Sequence, residues 1–337
     1  MHRYHVAMNR IPITVLALVS CVFAVGGCGG NTGWLITPVN LKERLVESEI
    51  KRDPGWFVRD KIAVVDVSGV ILNDRSRGLF GQGENPVSLF IEKIDRAQDD
   101  PNVKALVLRI NSPGGGVTAS DIMYDRVMKY KSATKKPVIA VMVDVAASGG
   151  YYIACAADAI IAHRTSVTGS IGVIVQTVSF AGTMDKIGVT AQAITSGKMK
   201  DMGSPFKPLD PADAAVLQGV VDDFYAKFVK VVDAGRPKLN IDQVRKLADG
   251  RIYTADEAQK NGLVDSVGFM DDALAIAKAR CGSERMKAVM YDRPMGHRAN
   301  AYSMAPDVGA QFNLVNVDTG TLMSMTRPRF MYLWSGR

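Results

Sequence analysis

The stretch "VMVDVAASGGYYIACAADAIIA" (residues 141–162) decides the fold, because it joins three features. An apolar run of strand type ends just before Ser148, two glycines follow, and an almost uncharged helical segment comes next. Apolar runs without polar alternation are typical of strands buried on both faces. The stretch therefore predicts a buried strand that leads directly into a helix. Ser148 would stand at the N-terminus of that helix, either as a simple N-cap or as a reactive hydroxyl.

The flanking sequence repeats the same alternation of strand and helix patterns. β-branched apolar runs lie at 61–71, 103–111 and 136–145, and apolar residues three and four apart lie at 86–98 and 118–133. A further helix is predicted to begin at Pro211, with Asp210 as its N-cap. Strands that alternate with helices predict an α/β protein with a parallel sheet flanked by helices.

Composition excludes several classes of protein. The chain has 337 residues, of which 47% are hydrophobic and 22% are charged, as expected for a globular protein. The formal net charge is +7, and no basic run with interleaved aromatic residues is present. We therefore expect no nucleic-acid partner.

The N-terminus has the pattern of an export signal. A positively charged opening precedes the apolar stretch "IPITVLALVSCVFAV", which is shorter than the roughly 20 residues that a membrane-spanning helix needs. "VGGC", ending at Cys28, resembles a bacterial lipobox, in which the cysteine is lipidated; "LVSC", ending at Cys21, is the alternative. We expect residues 1–27 to be a lipoprotein-type signal peptide. The mature protein would be exported and anchored to a membrane by its lipid.

The rest of the chain divides by composition. We predict a tether at 28–60, one catalytic domain at 61–285 and an irregular C-terminal tail at 286–337. Cys155 and Cys281, the cysteines beyond the leader, show neither a disulfide framework nor metal-ligand spacing. We therefore expect no metal site and no cofactor.

A glycine-rich loop, "SPGGG" (112–116), follows the run at 103–111. Such a loop presents backbone N–H groups to a negative oxygen, which is either a phosphate or the oxyanion of a tetrahedral intermediate. A tight turn is the simpler alternative. The sequence lacks the lysine of a Walker motif and the spacing G-x-G-x-x-G, so a nucleotide site is disfavoured.

A nucleophilic serine needs a base, and histidine is scarce. Beyond the leader only His163, at a strand end, and His297, in the tail, are available. A lysine is the other candidate, provided that its surroundings lower the pKa from about 10.4 towards neutrality. Lys198 and Lys200, in "AITSGKMKDMGSPF", compete equally on the residues alone.

Five motifs occur in the order and spacing of a known family: "LRINSPGGGV", "AASGGYYIA", "TGSIGVI", "SGKMKDMGSP" and "ADGRIYTADEAQKNGLVD". They resemble the signal peptide peptidase A family of bacterial Ser-Lys peptidases. The resemblance implies a ClpP/crotonase-like fold, with a repeated ββα core. It implies Ser148 as nucleophile, Lys200 as general base and Ser170 as the hydroxyl that orients the lysine. Gly114 and Gly149 would donate the oxyanion N–H groups.

The resemblance also implies a function. We expect a serine endopeptidase that cleaves remnant signal peptides or other unfolded hydrophobic polypeptides at the membrane. It would work as a homo-oligomeric ring, such as an octamer, whose sites combine neighbouring subunits. The alternatives are a catalytically silent lipoprotein scaffold and a crotonase-type acyl-CoA enzyme.

Overall fold

The strands and helices follow one another as the sequence predicts. The computed structural model describes residues 45–74, 77–78, 81–82, 84–293 and 329–335. The described strands are β1 (Val46–Arg52), β2 (Lys61–Ser68), β3 (Arg77–Gly78), β4 (Gly81–Gln82), β5 (Val103–Ser112), β6 (Gly114–Gly116), β7 (Val138–Ala147), β8 (Ala159–Ala162), β9 (Val167–Gly169), β10 (Ile174–Val175), β11 (Ile252–Thr254), β12 (Ser266–Val267), β13 (Lys287–Asp292) and β14 (Phe330–Leu333).

The helices predicted at 86–98, at 118–133 and from Pro211 begin within one residue of those positions. The described helices are α1 (Pro86–Asp99), α2 (Val117–Thr134), α3 (Gly149–Ala154), α4 (Ala181–Lys186), α5 (Pro211–Gly235), α6 (Ile241–Leu247), α7 (Ala255–Lys260) and α8 (Met270–Cys281). Asn85 and Asp210 cap α1 and α5, because their side chains accept hydrogen bonds from first-turn amides. Among the described helices, none has the length and the apolar character to span a membrane.

The central sheet has the order β1-β13-β2-β5-β7-β8-β12. All neighbours are parallel except β1 and β13. Strand β9 pairs in parallel with the end of β7, and β11 pairs antiparallel with β9. The predicted α/β class with a largely parallel sheet is confirmed.

Both faces of the sheet are covered, which explains the continuous apolar runs. In β5, Leu106, Leu108 and Ile110 join the larger core beneath α1, α2 and α3. Ala105 and Val107, which alternate with them, join a smaller core against α8. A strand with both faces buried needs apolar residues at every position.

Three strands lie in segments that were predicted to be a tether or an irregular tail. Strand β1 lies within the expected tether at 28–60, and β13 and β14 lie within the expected tail at 286–337. Strand β13 is inserted between β1 and β2, so it extends the main sheet rather than trailing from it. For these three strands the prediction was wrong, because their stability comes from distant partners. The predicted leader, with Cys21 and Cys28, lies outside the described residues.

Candidate active site

Ser148 stands where the sequence predicts, between the end of β7 and the start of α3. Its backbone has φ 52° and ψ −114°, a conformation that non-glycine residues rarely adopt. The N–H of Ser148 donates to the carbonyl of Gly169 at 2.7 Å. The neighbouring strand β9 therefore holds the turn in place. Strained backbone of this kind persists only where the surrounding structure enforces it.

The side chain of Ser148 does not cap the helix. Unlike Asn85 and Asp210, it makes no capping hydrogen bond. The residue is 1% exposed, and its Oγ has no hydrogen-bond partner in the described part of the chain. A buried polar group without a partner costs about 1–3 kcal/mol. The N-cap interpretation is therefore excluded, and the hydroxyl is free to react.

The glycine loop lies against the start of α3. A side-chain carbon built on Gly114 would lie 2.6 Å from the amide nitrogen of Gly149, and φ of Gly114 is 99°. Both features require glycine at 114. The N–H of Gly114 donates to Ser112 Oγ at 3.1 Å, and that hydroxyl donates to the Gly69 carbonyl at 2.6 Å. Ser112 thus holds the loop in place through these two hydrogen bonds. Its position in the "SPGGG" motif did not predict this role.

The structure brings Ser170 beside Ser148. Strands β7 and β9 run parallel, with Ala147 opposite Gly169, so the two serines follow paired residues. Ser170 is 8% exposed, has φ 48°, and donates its N–H to the Arg251 carbonyl at 2.7 Å. Two buried hydroxyl residues with left-handed backbone therefore end adjacent strands. In the sequence, each serine stands next to a glycine in a turn, as "GS" at 169–170 and "SG" at 148–149. Only the register of β7 and β9 shows that the two turns are neighbours.

The C-terminal strand β14 lies over the glycine loop. It pairs antiparallel with β6 on one side and with β10 on the other. Tyr332, at the centre of β14, is 1% exposed. Strand β14 lies in the part of the chain that was predicted to be an irregular tail, 286–337.

Lys200 lies on a projecting segment. Every residue from 185 to 200 is exposed, including the apolar Ile187, Ile194 and Met199. The two ends of the segment are held together, because the N–H of Phe180 donates to the Pro205 carbonyl at 2.7 Å. Since Ser148 Oγ has no partner, the single chain does not pair Ser148 with Lys200. Lys198 is exposed on the same segment, so the choice between the two lysines stays a prediction.

Comparison with known proteins assigns the chain to a family. Residues 130–283 match the model of peptidase family S49, and this range contains Ser148, Ser170 and Lys200. A putative protease of Methanocaldococcus jannaschii is 37% identical over 242 residues, which cover 71% of this chain and 77% of that protein. The chain belongs to peptidase family S49.

Two further relatives place the chain more closely within S49. A putative signal peptide peptidase SppA of Enterococcus faecium is 38% identical over 64% of this chain and 62% of its own length. Protease 4 of Haemophilus influenzae is 37% identical over 69% of this chain and 37% of its own length. The predicted membership of the SppA family of serine peptidases and the ClpP/crotonase-like fold are confirmed. The same relatives support the prediction that the protein is a protease.

The other candidate groups of this S49 peptidase lie in structural roles. His163 Nδ1 is 2.9 Å from Thr165 Oγ1, and its ring packs edge-on against Phe269. His297 lies outside the described residues. Within the described ranges, no three His, Cys, Asp or Glu side chains gather in a way that could hold a metal ion. Cys155 is buried, and burial raises the pKa of its thiol to about 12, as expected for an unreactive core cysteine.

Proposed function

We propose that the chain is a Ser-Lys endopeptidase that cleaves hydrophobic polypeptides, such as remnant signal peptides, at a membrane. The observation that carries the proposal is the buried hydroxyl of Ser148, which has no partner and is held in strained backbone at the start of α3. Such a group destabilises the fold, so its presence points to chemistry.

The proposed base is Lys200, supplied by a neighbouring copy of the chain. Ile187, Ile194 and Met199 are 69%, 100% and 46% exposed, so the projecting segment has an apolar surface that a partner subunit would cover. A lysine acts as a base only when its amine is neutral, and desolvation favours the neutral form. Burial in a subunit interface would supply that desolvation. A homo-oligomer, such as the ring expected from the resemblance, is the assembly that this requires.

The mechanism is acyl transfer to water. The neutral amine of Lys200 takes the proton of Ser148 Oγ, which attacks the peptide carbonyl. The N–H of Gly149, at the positive end of α3, stabilises the developing oxyanion, and the N–H of Gly114 would join it once released from Ser112 Oγ. Lys200 then protonates the leaving amine and afterwards activates a water molecule that releases the acyl group. Ser170 is proposed to hold the amine by accepting a hydrogen bond from it.

Two features favour a hydrophobic substrate at a membrane. The side chains of Tyr152 and Phe228 form a buried aromatic cluster with Tyr332 of β14, the strand that pairs with the glycine loop. Trp56 and Phe57, in the loop before β2, are 90% and 87% exposed, and paired aromatic side chains of this kind suit a membrane interface. We propose that these side chains and a lipid on Cys28 hold the protein at a membrane surface.

A complementation experiment tests the shared site. Ser148→Ala and Lys200→Ala should each abolish hydrolysis of a fluorogenic peptide. Co-expressed, the two variants should recover roughly a quarter of the wild-type activity, because each site needs an intact serine and an intact lysine from different copies. Lys198→Ala, on the same segment, is the matched control and should stay active.

Three results would contradict the proposal. A co-purified complex of both variants without any activity would show that the two residues do not act across subunits. Retained activity in Lys200→Ala would exclude Lys200 as the base. Failure of a fluorophosphonate probe to label Ser148 in the folded oligomer would favour the silent scaffold instead.

A further inference from the structure

A network of ion pairs lies next to the proposed base Lys200. The amine of Lys207 is 2.8 Å from Asp201 Oδ1 and 3.0 Å from Asp213 Oδ2. Asp201 directly follows Lys200 in the chain, and Asp213 lies in the first turn of α5. Lys207 thus joins the end of the projecting segment to the helix that comes after it.

The network is fixed on the side of α5. The side chain of Asp213 is 5% exposed, and Lys207 is its ion-pair partner. A buried carboxylate is costly unless it is paired, so this position of the Lys207 amine is strongly favoured. The carbonyl of Lys207 also accepts a hydrogen bond from Ser179 Oγ at 2.9 Å. Lys207 is therefore held through both its side chain and its main chain.

The backbone around Lys200 is held as well. The N–H of Lys200 donates to the Gly197 carbonyl, and the N–H of Ser204 donates to the Asp201 carbonyl, both at 3.0 Å. The ion pair from Lys207 to Asp201 adds a third connection. A general base acts only when it comes within hydrogen-bond reach of the proton that it removes, so the backbone that carries it has to be fixed.

The charge of Asp201 opposes the proposed chemistry unless another group neutralises it. A carboxylate beside a lysine favours the protonated amine, whereas a base has to be neutral. The hydrogen bond from Lys207 lowers the pKa of the Asp201 carboxyl, so this carboxylate stays ionised and bonded to Lys207. The positive charge of Lys207 thereby offsets a negative charge that would otherwise favour the protonated form of the base.

Other charged groups lie on the neighbouring elements. They are Asp185 and Lys186 of α4, Lys198 of the projecting segment and Asp210 of α5. Within the described ranges, no ion pair joins any of these four to the network. The charge next to Lys200 is therefore balanced chiefly by Lys207.

We propose that Lys207 is a positioning residue for the base: it neutralises Asp201 and holds the turn that carries Lys200 against α5. This inference rests on the proposed function, in which Lys200 is the base. It deepens that function, because it names the group that keeps the amine of Lys200 neutral without contacting the substrate.

The dependence of kcat/KM on pH tests the proposal, because its acid limb reports the protonation of the base in the free enzyme. Lys207→Met leaves the Asp201 carboxylate unpaired, so the midpoint should rise by about one pH unit, the interaction expected of two charges roughly 10 Å apart at an effective dielectric constant of about 20. Asp201→Asn removes the carboxylate and leaves Lys207 charged, so the midpoint should fall. In the double variant, most of the rise caused by Lys207→Met should be cancelled.

Two further variants are the controls. Lys207→Arg keeps the positive charge and should keep the wild-type midpoint. Lys129→Met is the matched control, because Lys129 forms an exposed ion pair with Asp125 within α2, and it should leave the midpoint unchanged. All variants are compared in the same oligomeric state, with the fluorogenic peptide as substrate.

The midpoint and the activity separate the inference from the function on which it rests. If the wild type is active and Lys200→Ala is not, but neither Lys207→Met nor Asp201→Asn moves the midpoint, the inference is wrong and the proposed function stands. A lower kcat with an unchanged midpoint leads to the same conclusion, because the network is then only structural. If Lys207→Met does not assemble, Asp201→Asn decides alone, and an unchanged midpoint overturns the inference. If Lys200→Ala stays active, both the inference and the assignment of the base are wrong.

Discussion

Replacing Ser148 by glycine should stabilise the protein relative to replacing it by alanine. Both substitutions remove the buried hydroxyl, so they differ only in the Cβ atom. With φ 52° and ψ −114°, the backbone at 148 is strained for any residue that has a Cβ. Strain of this kind costs about 1–3 kcal/mol, and glycine relieves it. Glycine also costs about 0.5–1 kcal/mol relative to alanine, because it makes the unfolded chain more flexible. We expect a net gain of up to about 2 kcal/mol.

Thermal unfolding of the two variants, in the same oligomeric state, measures this difference. A change of 1 kcal/mol shifts the melting temperature by about 2–4 °C in a domain of this size. The glycine variant should therefore melt up to about 8 °C above the alanine variant. Ala147→Gly is the matched control, because Ala147 lacks a positive φ and should lose stability on the same change. If Ser148→Gly melted below Ser148→Ala, the backbone at 148 would carry no strain and the argument from stored strain would be wrong.

Three further outcomes are expected. Ser112→Ala should lower kcat by up to about tenfold with little change in KM, since Ser112 accepts the loop amide at 3.1 Å and one hydrogen bond is worth about 1 kcal/mol; an unchanged kcat would contradict this. Gly149→Ala should abolish activity, because its Cβ would lie 2.4 Å from Ser120 Oγ, and adding Ser120→Ala should restore part of it in the same peptide assay. Burial raises the pKa of Asp265, but the hydrogen bonds from Arg236 and from the Ile160 N–H, with the charges of Arg236 and Lys238, together outweigh it and the net pKa is lowered. The stability that Asp265→Asn loses in urea unfolding should therefore shrink as the pH falls below about 4, and a constant loss down to pH 3 would count against the pair.

Local sequence predicts the serine and the glycine loop of the candidate active site, but not which lysine would act as its base. Ser148 could be singled out because a strand pattern, two glycines and a helix pattern meet at that residue. Gly114 could be singled out because three glycines follow a strand. Ser112 was missed, since its role is a hydrogen bond to the loop that only the folded turn creates. Lys200 was chosen over Lys198 through the family resemblance. The single chain leaves Lys200 exposed, so the base depends on the assembly.

The sequence by itself determined the α/β architecture and the position of the candidate nucleophile Ser148, because hydrophobic periodicity and glycine placement act over a few residues. Only the tertiary structure decided which strands pair: β13 beside β2, Gly169 opposite Ala147, and Tyr332 opposite Gly115. A strand of three or four residues does not specify its partner, since the backbone hydrogen bonds that fix the register are the same for every residue type. The pairing of β14 with the glycine loop, more than 200 residues earlier in the chain, therefore became visible only when the chain was folded.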